Sequence, residues 1–300
     1  MKNTNKIRYS EMFMSVQGEG AYTGRLSVWI RMHKCNLQCR GFSQPDPLDR
    51  STWKLEYDEF AKSDQLIALQ KIEDLPVFKS GCDSYYSWHP AFKRFMFEDS
   101  AEDIATQLLD LTPQKSFVCQ PANADVHLCF TGGEAMINQD NIQAIIEELI
   151  DGGDFPTHIT IETNGTQKMR PHFRNFLQMI REEHGVKVTF SMSPKLPSVT
   201  GESAKKTIRP EVVRSYEEAG YNSFLKFVVN PDERSWNDLD KAVAMYREAG
   251  VTVPIWVMPV GATQQEQESH AGELANRAIA LGYNVSARVH NYLWGNAVGV

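Results

Sequence analysis

The feature that most restricts the fold of this chain is a repeated change of hydrophobic period. From residue 100 onward, short runs rich in β-branched and aromatic residues alternate with longer stretches whose apolar residues recur every third or fourth position. The short runs fall at residues 126–130, 158–161, 187–190, 224–229, 252–257 and 285–289. The longer, helical ones fall at residues 101–111, 141–150, 171–184, 210–219, 236–249 and 264–280. Alternating strand and helix build a parallel sheet, because parallel neighbours need a crossover and a helix supplies it. With an earlier run at residues 27–31 the expected strands number about seven, one short of a closed (β/α)8 barrel. The expected fold class is therefore α/β, a modified and incomplete (β/α) barrel.

Within that frame, the positions of the polar and glycine-rich clusters carry meaning. CNLQC, TGGE, ETNGT, SMSPK, MPVG and HNYLWG each follow directly after an expected strand. In parallel α/β architectures the loops after the strands meet on one rim, where active sites lie. Six such clusters at one rim point to an enzyme. Residues 43–81 break the rhythm with several prolines, mixed charge and no strand alternation, apart from one helix expected over residues 55–71. They read as an insertion into a single domain that spans residues 1–300.

Composition removes other classes. The 300 residues are 42% hydrophobic, enough for a domain-sized core. Acidic residues outnumber basic ones by 38 to 31, so no global positive field draws nucleic acid or anionic lipid. No apolar run approaches the roughly 18 residues of a membrane span, and the start, MKNTNKIRYSEMF, lacks the apolar core of a signal peptide. A cytoplasmic protein without nucleic-acid or membrane partners is expected. Five cysteines, an odd number, suit metal or redox chemistry in a reducing compartment better than a disulfide framework.

Cys35 and Cys39, the ends of CNLQC, put two thiolates on one loop or first helical turn, the ligand type that iron–sulfur clusters require. Two cysteines alone would serve a structural zinc site as well. Cys82 opens CDSYYSW, far along the sequence. With the intervening segment lifted out, the string reads CNLQC-RG-CDSYYSW. It resembles the cluster motif of the 7-carboxy-7-deazaguanine synthases, the QueE family of radical S-adenosylmethionine enzymes. In that family CxxxCxxC is usual, an Asp-Thr and an aromatic pair follow, and some members lengthen one spacer. The usual third position is Phe42 here. Cys82 is favoured as third ligand over Cys119, which has no motif around it, and over Cys129, which sits mid-strand where a small buried apolar residue is expected.

The resemblance extends along the chain. TGGE, from Thr131 to Glu134, is similar to the GGEP loop that contacts the amino group of S-adenosylmethionine, with Ala135 in place of the proline. ETNGT from Glu162 and SPK from Ser193 to Lys195 match as well. The resemblance implies cofactor-binding roles for Thr131, Gly132, Gly133, Glu134, Glu162, Asn164, Ser193 and Lys195. SVQGEG, from Ser15 to Gly20, resembles the family's SxQGEG, and RVHNYLWG its terminal His motif. These imply substrate contacts through Gln17 and Glu19 to the guanidine-like edge of a pterin, through Arg31 to its carboxylate, and through His290. Ser84 stands where the family has a threonine whose hydroxyl helps hold Mg2+, and Asp83 alongside either contributes to that site or caps a turn. Lys226 is a further match with no role attached, and no catalytic residue is assigned.

What the resemblance implies for activity is the conversion of 6-carboxy-5,6,7,8-tetrahydropterin to 7-carboxy-7-deazaguanine, a ring contraction with loss of ammonia. The cofactors would be a [4Fe-4S] cluster, S-adenosylmethionine and Mg2+, with an open iron chelating S-adenosylmethionine and an electron donor such as flavodoxin or ferredoxin. The implied assembly is a homodimer. A glycyl-radical activating enzyme shares CxxxCxxC and a GGEP-like loop, but SVQGEG, ETNGT and the His motif count against it. A non-catalytic zinc-stabilised binding module would need a fourth ligand such as His33 or His89.

Overall fold

A computed structural model of the chain describes residues 6–295 and 297–299. Its strands are β1 (Ile7–Val16), β2 (Leu26–Met32), β3 (Phe97–Asp99), β4 (Val118–Cys119), β5 (Ala124–Asp125), β6 (His127–Gly132), β7 (His158–Thr163), β8 (Lys187–Met192), β9 (Phe224–Val229), β10 (Ile255–Pro259) and β11 (Asn284–Val285). Nine of them form one sheet in the order β11-β10-β9-β8-β7-β6-β2-β1-β3, and β4 and β5 make a separate hairpin. From β2 to β11 every pair is parallel. The N-terminal β1 is antiparallel to both β2 and β3. The chain thus has a mixed α/β fold around a large, mostly parallel sheet with β11 and β3 at its ends.

Alternation sorts the strands into two faces. Val28 and Ile30, Leu128 and Phe130, Ile159 and Ile161, and Leu225 and Phe227 point into the main apolar core. Their neighbours Trp29, Arg31, Thr131, Glu162, Ser191 and Lys226 line a cavity instead. The helices complete the core. Pro171–His184 offers Phe173, Phe176, Leu177 and Ile180, spaced by three and four residues, all buried. Proline stands in its first turn and Gly185, in the left-handed conformation, ends it. Each of those buried side chains stabilises by about 1.5–3 kcal/mol relative to exposure.

A bulge between Tyr9 and Glu11 changes the phase of β1. Before it, Ile7 and Tyr9 belong to the core; after it, Met12 and Met14 pack there and Glu11, Phe13 and Ser15 line the cavity. One extra residue moves the whole set of side chains to the other face, which is how a carboxylate comes to lie on the cavity side.

Three expectations are corrected. Residues 55–71 form two short helices, Glu56–Phe60 and Asp64–Ala68, because the chain turns to bury Tyr57 and Leu66 in a second apolar cluster with Ile72, Leu75, Tyr85, Tyr86 and Phe92. Residues 264–280 form two helices, Gln264–Glu268 and Ala271–Ala280, separated at Ser269 and His270. Residues 285–289 are not a strand. Pairing ends at Val285, and Val289–Trp294 is a helix, because after the Ser286 amide has donated to the Val257 carbonyl of β10 the chain turns to residues 18–20: the Ser286 hydroxyl accepts from the Gly20 amide and the Val289 amide donates to the Gly18 carbonyl. Among the described residues no helix is long and apolar enough to cross a membrane.

Candidate active site

A cavity of about 280 Å3 opens on the polar face of the sheet. Cys35, Cys39 and Cys82 line one part of it, Gln17, Glu19, Arg31 and His290 another, and Thr131, Gly132, Gly133, Glu162, Asn164, Ser193, Lys195 and Ser84 the rest. Of the residues singled out in the sequence, Glu134 does not line it. Neither Cys119, on the β4–β5 hairpin, nor Cys129, fully buried in β6, reaches it.

The three thiols come together through backbone contacts. Cys39 sits at a φ of 48°, and the amides of Gln38 and Cys39 donate to Glu202 Oε1 at 2.9 and 3.2 Å. The Gly81 amide donates to the Phe42 carbonyl at 2.8 Å, so segment 43–80 closes on itself and delivers Cys82 beside the position where CxxxCxxC would have its third cysteine. The Lys34 amide donates to the Ser87 carbonyl at 2.8 Å, and the Lys34 carbonyl accepts from Glu134 N at 2.9 Å. A Cβ at Gly133 would fall 2.4 Å from that carbonyl and 2.7 Å from Cys35 Cβ. Only glycine lets the TGG loop press so closely on the cysteine loop.

Burial pushes the Cys35 thiol up to about 12 and Cys82 to about 11, and raises Cys39 well above its ordinary value; the thiols also disfavour one another's ionisation. Lys195 pulls all three the other way, the Leu37 amide donates to Cys35 Sγ at 3.4 Å, and the Trp88 indole and Ser84 amide favour the Cys82 thiolate. Neutral when alone, these thiols become thiolates when a cationic metal core compensates them. Their chemistry, together with N–H groups aimed at sulfur, fits an iron–sulfur cluster. Among the described residues no three His, Cys, Asp or Glu side chains are gathered as a single metal ion would need. A multi-iron core, with each thiolate on a different iron, asks for a wider spacing. His33 and His89 do not line the cavity, and the His89 ring is engaged by Asp58 and the Ala91 amide.

Glu134 ties loops together from behind. Its carboxylate accepts from the Met136 amide at 3.0 Å, Thr163 Oγ1 at 2.6 Å and the Asn164 amide at 2.6 Å. Burial raises its carboxyl, and those three hydrogen bonds oppose the rise. Asn164 Nδ2 in turn donates to Asn36 Oδ1 at 3.0 Å, stitching ETNGT to CNLQC. Lys195 Nζ donates to Ser193 Oγ at 3.0 Å, which leaves a cation and a hydroxyl side by side on the cavity wall.

The other part of the cavity is a chain of alternating charge. Lys226 pairs with Glu19 and lies 3.9 Å from Glu162. Arg288 Nε donates to Glu19 Oε1 at 2.9 Å and its Nη2 to Asp83 Oδ2 at 2.8 Å. Ser84 Oγ donates to Asp83 Oδ1 at 3.2 Å and accepts from Arg31 Nη1 at 3.0 Å. Arg31 Nε and the Tyr86 hydroxyl both donate to Glu11 Oε1, at 2.5 and 2.7 Å. Burial alone would raise the Glu19 carboxyl, but Lys226 and Arg288 hold it far below the ordinary range. Burial and Arg288 lower His290 to about 4, so its imidazole is neutral at pH 7 and can donate or accept. Ser84 and Asp83 offer the oxygen donors that a hard divalent cation takes.

Glu11, Tyr86, Lys226 and Arg288 belong to this network although the motifs attached no substrate or cofactor role to them, and Asp83 joins it beside Ser84. Arg288 could have been found two residues before His290 in RVHNYLWG. The signal for Glu11 is a carboxylate just before the apolar run Met12–Phe13–Met14 of β1, ambiguous until the bulge gives its face.

No family model matches the chain. Relatives of known name do. It is 26% identical over 306 residues to the 7-carboxy-7-deazaguanine synthase of Halobacterium salinarum, covering 96% of this chain and 90% of that one. The synthase of Rhodopirellula baltica is also 26% identical over 306 residues, with 98% and 89% covered. That of Pyrobaculum aerophilum is 23% identical over 303 residues and matches 100% of both chains. Among solved structures, QueE from Escherichia coli superposes with a TM-score of 0.53 at 18% identity over 95% of each chain, a likeness of fold.

Proposed function

We infer that this chain, which belongs to the 7-carboxy-7-deazaguanine synthase (QueE) family of radical S-adenosylmethionine enzymes, converts 6-carboxy-5,6,7,8-tetrahydropterin to 7-carboxy-7-deazaguanine, as a carbon–nitrogen lyase in queuosine-type 7-deazapurine synthesis. The observation that carries the reading is the meeting of three thiols, the TGG loop and the Gln17–Glu19–Arg31–His290 set in one cavity. When bound, a [4Fe-4S] cluster and S-adenosylmethionine supply one-electron cleavage of a sulfonium bond and the carbon radical that takes hydrogen from the substrate.

The protein's own part is holding and electrostatics. Cys35, Cys39 and Cys82 would hold the cluster. Thr131, Gly132, Gly133, Glu162, Asn164, Ser193 and Lys195 would hold S-adenosylmethionine, with the Lys195 ammonium and Ser193 hydroxyl suited to a carboxylate and a diol. Glu134 would act on that cofactor through the loops it ties. Gln17 and the ionised Glu19 accept N–H groups from the pyrimidine edge of the pterin, and Arg31 donates to its carboxylate. Neutral His290 offers a hydrogen bond without adding charge. Ser84, with Asp83 beside it, would hold Mg2+.

We further infer an open (β/α) barrel built as one domain, with residues 43–81 inserted within the cluster motif. A cytoplasmic homodimer served by a flavodoxin or ferredoxin completes the reading. The relatives' names do not favour a glycyl-radical activating enzyme or a zinc module. The test is anaerobic reconstitution with iron and sulfide, then incubation with reductant, S-adenosylmethionine, Mg2+ and the pterin. Formation of 7-carboxy-7-deazaguanine is the expected outcome. Cofactor cleavage without that product, or retention of zinc and no cluster, contradicts the reading.

A further inference from the structure

We propose that Arg288 is a positioning residue that locks the loop carrying Glu19 to the segment carrying Cys82, Asp83 and Ser84, a role that rests on the assignment of those segments to substrate and cluster. Its side chain is 11% exposed and reaches three parts of the chain at once. Nε donates to Glu19 Oε1 at 2.9 Å, Nη2 to Asp83 Oδ2 at 2.8 Å, and Nη1 to the Gly261 carbonyl at 3.2 Å. Glu19 and Asp83 lie 269 and 205 residues away in sequence, so no local structure sets their separation.

The backbone on either side of Arg288 grips the same loop. The Val289 amide donates to the Gly18 carbonyl at 2.9 Å, and the Gly20 amide to Ser286 Oγ at 2.7 Å. His290 packs so closely that a Cβ at Gly18 would fall 1.9 Å from its Nδ1. Residues 286–290 therefore clasp residues 18–20, and Arg288 carries the clasp across the cavity to Asp83. Asp83 follows Cys82 directly in the chain, so the contact fixes the cluster side relative to the substrate side.

A planar guanidinium holds two carboxylates in fixed directions, whereas an ammonium is a single point charge that satisfies one of them at this spacing. Without the fork, Glu19 keeps Lys226, but Asp83 loses its contact with the substrate loop. Ser84 and Tyr86 still hold their segment to Arg31 and Glu11, but the side-chain link between Asp83 and the Glu19 loop is gone.

The experiment is amide hydrogen exchange on the full chain, comparing wild type with Arg288→Gln, Arg288→Lys and the control Arg277→Gln, whose ion pair with Glu233 lies on the surface. In Arg288→Gln, exchange in residues 17–22 and 83–88 is expected to rise together by about tenfold or more. Arg288→Lys should restore one segment and not both, and it supplies the reading if the glutamine variant does not fold. Wild-type protection in both segments, or a rise no larger than in the control, overturns the proposal. In reconstituted enzyme the glutamine variant should raise KM for the pterin while KM for S-adenosylmethionine stays within about twofold, and should form about fivefold more deoxyadenosine per product. Equal loss against both substrates overturns it as well. If wild type makes no product, the functional reading has failed, and the exchange result still decides the role of Arg288.

Discussion

Arg31 and Glu11 face each other across β1 and β2, with side chains 16% and 4% exposed. Glu11 Oε1 takes hydrogen bonds from Arg31 Nε and from Tyr86, whose ring also lies 5.5 Å from the guanidinium carbon. Glu11 therefore fixes the Nε edge and leaves the Nη edge toward Ser84 and the cavity. Removing one partner of a buried pair leaves the other charge uncompensated, so Glu11→Leu should cost about 3–5 kcal/mol. Loss of the Tyr86 hydroxyl, one hydrogen bond to that carboxylate, should cost about 1.5–3 kcal/mol. Urea titration checks both through midpoints at constant slope; an unchanged midpoint for Glu11→Leu would contradict the pairing. Arg31 was legible in the sequence because it lies four residues before Cys35. Glu11 was not, since its face depends on a bulge that no local pattern announces.

At the scale of elements, the end of the sheet away from the TGG loop is closed by stacked rings. His127 opens β6 and His158 opens β7; their rings lie 5.0 Å apart at 11°, and Tyr22 meets His127 edge-on at 5.1 Å. His127 is 1% exposed, and neither ring nitrogen has a hydrogen-bond partner among the described residues. Burial, then the charges of His158 and Arg25, lower it from 6.5 to about 4. The native state refuses a proton that the unfolded chain accepts near pH 6.5. The stability involved is complete above that pH and falls as pH drops toward 4, by roughly 3 kcal/mol for this one group. Denaturant midpoints between pH 7 and pH 4 should therefore decline less steeply in His127→Phe than in wild type. Parallel declines would show that His127 does not carry the linkage.

For the whole molecule, the rhythm of strand and helix was readable because each helix buries one apolar stripe and each strand alternates. Helices Ala101–Leu111, Pro171–His184 and Pro210–Ala219 fall where periodicity puts them. The antiparallel start of the sheet was not readable. The sequence pattern does not say that β1 pairs with β2, nor that beyond Ser286 the chain leaves β10 and the Val289 amide goes to the Gly18 carbonyl. The cavity residues were legible where a short string carries several of them, as in TGGE or ETNGT. They were obscure where a single charged side chain reaches across the fold, as with Glu11 and Arg288. Cys82 stands between these cases, since its motif was visible but its nearness to Cys35 and Cys39 depends on the closure of residues 43–80 at Phe42 and Gly81. The central claim is that these three thiols share one cluster. Anaerobic reconstitution of Cys82→Ala, Cys119→Ala and Cys129→Ala, with iron, sulfide and the reduced-cluster electron paramagnetic resonance signal measured per chain, tests it most directly. The account predicts that Cys82→Ala alone of the three loses the cluster. A cluster retained in Cys82→Ala and lost in Cys119→Ala or Cys129→Ala would contradict it.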